Sequence, residues 1–226
     1  MIKAIIFLVL VFGLGFVGFR YLVSGSPRDL GITFTEADRQ NAYTKNAVES
    51  SKISNTPDVK NSIRYEGTKN IDTTFTSPEI TALINSVNWA YYPVSNVQIK
   101  INADGTGEVS GVLDVKKVIS WVSFTHPTAE IEKAMRDYRI GWNTPFYLKG
   151  KASVVDNKVT LSSDKIEVGR VTIPNNLVVE NIPIMQSFAE DRINAVPNLD
   201  IKSFNLDGGQ INFKATVPEK EFTVQN

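Results

Sequence analysis

The chain has 226 residues and a mass of 25.1 kDa, with 24 basic residues against 24 acidic ones. Hydrophobic residues make up 42%, enough to build a core and to exclude disorder throughout, and the cancelled charge argues against a nucleic-acid binder that works by neutralising phosphates. With no cysteine and a single histidine, disulfides, thiolate nucleophiles, zinc fingers, iron–sulfur clusters and His-rich metal sites are excluded together.

Residues 5–19 read IIFLVLVFGLGFVGF, without a charge. Extended to residues 4–23, the run is long enough for roughly 30 Å of hydrocarbon. Arg20 and Tyr21 suit the headgroup boundary. Residues 1–25 therefore read as a transmembrane signal anchor. The competing reading is a signal peptide cut after Gly25, against which stand the length of the run, the position of Arg20 and the absence of Ala-x-Ala. A folded body after one amino-terminal span is usually exported, so the expected location is the cell membrane with an extracytoplasmic carboxy-terminal domain. Gly13, Gly15 and Gly18 match GxGxxG by spacing, but no βαβ unit surrounds them and the match is read as chance. The leader carries Lys3 and Arg20 and no acid, which leaves the rest slightly acidic and unsuited to electrostatic lipid binding.

Residues 26–67 read as a helix followed by a polar linker. Thr35 and Asp38 resemble a capping box that opens the helix. Ser50 to Gly67 is polar, turn-rich and without periodicity. Residues 68–226 read as the main domain. Thr68 to Phe75 suits a strand, and Thr76 with Glu79 repeats the capping pattern ahead of a short helix. The two Phe-Thr elements, at residues 32–38 and 73–79, are either a duplication or two uses of one capping chemistry.

Three hairpins follow from period-two alternation around Asp, Asn and Gly turns. The first runs from Val97 to Ile101, turns at residues 102–106 and returns over Val109 to Val115. The second runs from Phe146 to Val155, turns at Asp156-Asn157 and returns over Lys158 to Val168. A phase change in its return strand predicts a bulge near Ser163-Asp164. The third runs from Ile201 to Leu206, turns at residues 207–209 and returns with Ile211, Phe213, Ala215 and Val217 on one face. Helical stripes occupy Thr128 to Arg139 and Pro183 to Val196. The expected fold class is α+β: one amino-terminal transmembrane helix, then a curved antiparallel sheet of six or more strands packed on two or three amphipathic helices.

Chemistry is sparse. His126 has Ser120 and Ser123 nearby but no nucleophile elbow, and it reads as a loop residue ahead of a helix. Asp104, Asp156 and Asp207 belong to turns. No catalytic residue, metal site or cofactor is expected, and the chain is not read as an enzyme. The aromatic groups Trp89, Tyr91 and Tyr92, and Trp121, Phe124 and Trp142, have two readings. One is sheet-end core. The other is the lip of a groove, to which residues 115–124 (VKKVISWVSF) would contribute.

Residues 75–85, FTSPEITALIN, followed by hairpins, resemble a pattern in small membrane-anchored bacterial envelope proteins of unknown function. Some of these are similar in outline to tubular lipid-binding domains. The resemblance implies hydrophobic-ligand binding or a scaffold role. The expected function is a membrane-anchored binding module that holds a lipid or other hydrophobic ligand between sheet and helices. The alternative is a non-enzymatic structural or interaction protein of the envelope. Expected partners are the membrane, through residues 4–23, a lipid ligand and an envelope protein, with no nucleic acid.

Overall fold

The computed structural model describes residues 25–54, 59–122, 143–169 and 171–225. In chain order these form α1 (Glu36–Asn46), β1 (Glu49–Lys52), a 3-10 turn (Val59–Asn61), β2 (Ile63–Glu66), β3 (Lys69–Thr76), α2 (Ser77–Asn85), β4 (Val94–Ile101), β5 (Gly107–Asp114) and α3 (Val115–Val122). There follow β6 (Asn143–Val155), β7 (Lys158–Val168), β8 (Val171–Thr172), α4 (Asn175–Asn194), β9 (Asp200–Asp207), β10 (Gln210–Val217) and β11 (Lys220–Thr223).

The three expected hairpins are β4–β5, β6–β7 and β9–β10, each closed by the turn its residues suggest. Asp104 Oδ1 accepts bonds from the Thr106 N–H at 2.9 Å and the Thr106 hydroxyl at 2.6 Å, which closes the first turn through a side chain. Asp156 and Asn157 both sit at positive φ, 46° and 63°, the geometry a two-residue hairpin turn needs and that Asp and Asn tolerate best among residues with a side chain. The bulge falls where the phase change puts it. The register steps from Lys149↔Lys165 to Gly150↔Ser163 and leaves Asp164 as the extra residue.

Both capping boxes form. Thr35 and Asp38 close α1, and Thr76 and Glu79 close α2, each pair exchanging side-chain and backbone bonds. The two helices lie against each other. Lys45 of α1 reaches the Glu79 carboxylate at 2.6 and 2.7 Å.

The expected fold class is corrected by the sheet arrangement. The described chain is mostly β, and it forms two sheets rather than one. The larger has eight strands, in the order β3-β10-β9-β6-β5-β4 with β7 and β8 beyond β6, and is antiparallel at every pairing. The smaller has the order β1-β11-β2, with β1 parallel to β11. β2 lies inside the polar stretch 50–67 that reads as a linker, and β1 runs into its start. Their side chains are largely exposed and their partner comes from the far end of the chain, so no local hydrophobic period marks them. No helix among the described residues is long and apolar enough to cross a membrane, so the expected membrane helix is no part of the described architecture. The apolar leader over 4–23, the stripe over 128–139 and His126 lie outside the described residues.

The long helix also differs. It begins at Asn175, eight residues ahead of Pro183, which stands in its interior. Pro183 has no N–H, so the carbonyl four residues earlier lacks its helical donor. The early start is held by packing: Leu177 and buried Val178 meet Val168 and Ile173. At its other end α4 sets Ala189 and Ile193 on a core of Ile71, Val154, Val159, Ile201, Ala215 and Val217. A third cluster, Phe75, Ile101 and Ile211, lies under Ile80 and Leu83 of α2.

Candidate functional site

The pairing of β6 changes along its length. β7 holds one edge from Phe146 to Val155. On the other edge β5 pairs through Gly150 and β9 pairs only from Val154, so the register skips residues 151–153 and the sheet splits there. A strand edge that loses its neighbour opens a gap whose walls are the side chains of the diverging strands. α4 passes over this gap, since its two ends rest on cores at either side.

The gap is a groove of about 300 Å³. Ile99 and Val109 come from β4 and β5, Leu148 and Ala152 from β6, Phe204 and Leu206 from β9. Ile182 and Met185 of α4 and Ile80 of α2 also line it, with Lys151, Ser162 and Ser163 as its polar members. Most of these side chains are only half-buried. Small residues keep the floor low: Gly107 and Gly150 face each other across β5 and β6 and both border the groove. A Cβ on Gly150 would lie 2.0 Å from the Ser162 carbonyl oxygen, so the bulged strand can come this close only to a residue without a side chain. The volume is at the lower end of the ~300–1,000 Å³ that small-molecule sites span, and it suits one acyl tail or a compact apolar molecule.

Polar bonds fasten the helix over this space. Gln186 Nε2 donates to the Val159 carbonyl at 3.1 Å, and the Val159 N–H donates to Glu190 at 3.0 Å. Lys158 pairs with Glu190 at 3.1 Å. The Val159 N–H and the Lys158 ammonium hold the Glu190 carboxyl below its ordinary range, so it stays ionised and accepting at neutral pH.

Of the aromatic residues singled out in the sequence, the described Trp89, Tyr91 and Tyr92 do not border this groove. Trp89 is 6% exposed. Its indole N–H donates to Ser62 Oγ at 3.0 Å, and its ring meets Tyr91 edge-on at 6.0 Å. Tyr91 and Tyr92 are half-buried, and burial pushes the Tyr92 phenol up to about 12. Trp89 and Tyr92 instead border a second, more open depression of about 810 Å³. Phe124 and Trp142 lie outside the described residues, as does the side chain of Trp121. Large rings are the sequence's signal for a groove lip, whereas this groove is lined mainly by aliphatic residues, with Phe204 the one ring among its described lining, and is set by a register change between distant strands. The bulge at Asp164 was its one legible trace.

On the opposite face of the sheet, residues 28–32 are pinned down. The Arg28 guanidinium lies 3.9 Å over the Tyr147 ring and bonds Glu167 at 2.6 Å. The Leu30 and Ile32 N–H groups both donate to Gln98 Oε1, at 2.7 and 3.4 Å. The Tyr147 hydroxyl donates to Glu108 at 2.7 Å. Burial and that carboxylate push the phenol up to about 12, which keeps its proton in place as a donor. No group of three or more potential metal ligands occurs among the described residues. Comparison with known proteins finds no matching family model, no matching curated protein and no matching solved structure.

Proposed function

We propose that this chain is a membrane-tethered module that holds a lipid tail or similar hydrophobic molecule in the groove between the split sheet and α4. The apolar leader over 4–23 would be the tether, with the folded body on the outer face. The observation that carries the reading is the groove itself, walled mainly by apolar side chains that are left half-covered. Each such side chain is worth ~1.5–3 kcal/mol when fully buried. A filled core would collect that stabilisation internally, whereas an open groove collects it from a ligand. The rival role is a scaffold that presents an edge strand or surface to an envelope partner; the β4 edge is not free for it, because α2 already bonds that edge.

The test is photolabelling of the full chain with a diazirine-bearing fatty acid, followed by peptide mapping. Adducts are expected on β6, β9 and α4. Ala152→Trp, which puts a large ring into the groove, should weaken labelling there by about tenfold or more, ~1.4 kcal/mol, with thermal unfolding little changed. Wild-type protein without adducts on those elements would remove the reading.

A further inference from the structure

The second depression is bordered by Pro27, close in sequence to the end of the apolar leader, and its lining is mixed, with polar groups such as Asn85, Asn96 and Gln98 beside exposed apolar side chains. Phe34 is 42% exposed and Val87 38% exposed. Both border the depression, together with Ile32, Ile84 and Pro27. Its charged lining is one cation, Lys117, and one anion, Asp114, so net charge neither draws nor repels an anionic headgroup, and uncharged polar groups beside Phe34 and Val87 match the mixed chemistry of a bilayer interface.

Chain length fixes how far this rim can stand from the leader. The apolar run ends at Val23, and Pro27 already borders the depression. Four residues reach at most ~14 Å when fully extended. The next residues allow no slack, because Arg28 is tied to Glu167 and the Leu30 N–H to Gln98. A leader inserted in a bilayer therefore brings the rim down to the headgroup region.

We infer that this end of the body is a lipid-contacting surface, with Phe34 and Val87 resting in the bilayer interface. The inference rests on the tether reading of the leader but not on any ligand in the groove. β6 supplies an internal ruler. Asn143, its first residue, borders the same depression, and Val155, its last, is 60% exposed. Twelve residues of strand place Val155 ~40 Å away along that axis, so it should stand clear of lipid.

The native chain has no cysteine, which makes single-site labelling clean. Phe34→Cys, Val87→Cys and Val155→Cys would each be made in the full chain, labelled with an NBD fluorophore and reconstituted in vesicles of phosphatidylcholine and phosphatidylglycerol. Labels at 34 and 87 should show blue-shifted emission and lose intensity when nitroxide-bearing lipid is included, while the label at 155 does neither. If the protein floats with the vesicles but 34 and 87 are quenched no more than 155, the lipid contact is wrong and the tether stands. A blue shift at 34 and 87 without lipid quenching would mean that protein, such as a second copy, covers the rim, and overturns the inference. Failure to float at all would remove the tether reading and this contact with it.

Discussion

Burial by itself would push the Glu79 carboxyl up, but the bonds from Lys45 and from the Thr76 N–H outweigh it and hold the group below its ordinary value of about 4.5. A depressed carboxyl contributes stability that is present above the ordinary value and lost as pH falls through the folded one. Glu221 has the opposite sign: burial raises its carboxyl above the ordinary value of about 4.5, so its charge costs stability at neutral pH and the cost fades on acidification. Glu79→Gln should destabilise by ~1–3 kcal/mol at pH 7, since a nearly buried charged acceptor is removed, with the deficit shrinking below about pH 4.5. Glu221→Gln should raise the melting temperature at pH 7. Paired thermal melts from pH 3 to 7, a window of about four units around the carboxylate range, read both signs. Equal responses of the two variants would contradict the assignment. The capping role of Glu79 was legible from Thr76-x-x-Glu79. Its bond to Lys45 was not, because 34 residues separate the partners.

β4 is the last strand of the large sheet, and its open edge is closed by a helix. Ser77, Thr81 and Asn85 stand four apart on α2, which puts them on one face. Ser77 Oγ accepts the Ile101 N–H at 2.9 Å and Thr81 Oγ1 the Ile99 N–H at 3.0 Å. Asn85 accepts the Val97 N–H at 3.0 Å and donates to the Val97 carbonyl at 2.7 Å. Side chains thus do for β4 what another strand would do, and an edge that could template aggregation is blunted. Thr81→Val with Asn85→Leu keeps the size of both side chains and removes these bonds. The pair should cost ~1–3 kcal/mol for each stranded N–H and speed hydrogen exchange at Val97 and Ile99 with little effect on β9 and β10. Unchanged exchange would mean that packing, rather than these bonds, closes the edge. The sequence marks α2 as a short amphipathic helix, yet its polar stripe looks solvent-facing until β4 is set beside it. α4 shows the converse. Pro183 reads as a helix start because its missing N–H is harmless there, but Leu177 and Val178 gain enough contact with Val168 and Ile173 to draw the helix eight residues further back.

At the scale of the molecule, the chain is closed by its own carboxy terminus. β11 lies between β1 and β2. The Ala90 N–H then donates to the Val224 carbonyl at 2.8 Å, and the Val224 N–H to the Ser62 carbonyl at 2.9 Å. Trp89 pairs with Gln225 in an isolated bridge. A chain truncated after Val217 should lose the small sheet as a unit. Hydrogen exchange over β1 and β2 should become fast and Trp89 fluorescence should shift to the red, while the β9–β10 and β3–β10 ladders remain protected. Protection of β1 and β2 without β11 would show that they hold by other contacts.

The sequence by itself determined the hairpins, both capping boxes and the bulge at Asp164, because turn chemistry, caps and alternation act over a few residues and need no partner beyond them. The small sheet, the closure of β4 by α2, the early start of α4 and the groove were decided only by tertiary structure. The small sheet and the groove join segments far apart in the chain, and the other two rest on packing or bonding between neighbouring elements that the pattern of either one alone does not show; the groove in particular exists because β5 and β9 leave one edge of β6 at different heights, a fact of register between strands that no local pattern encodes.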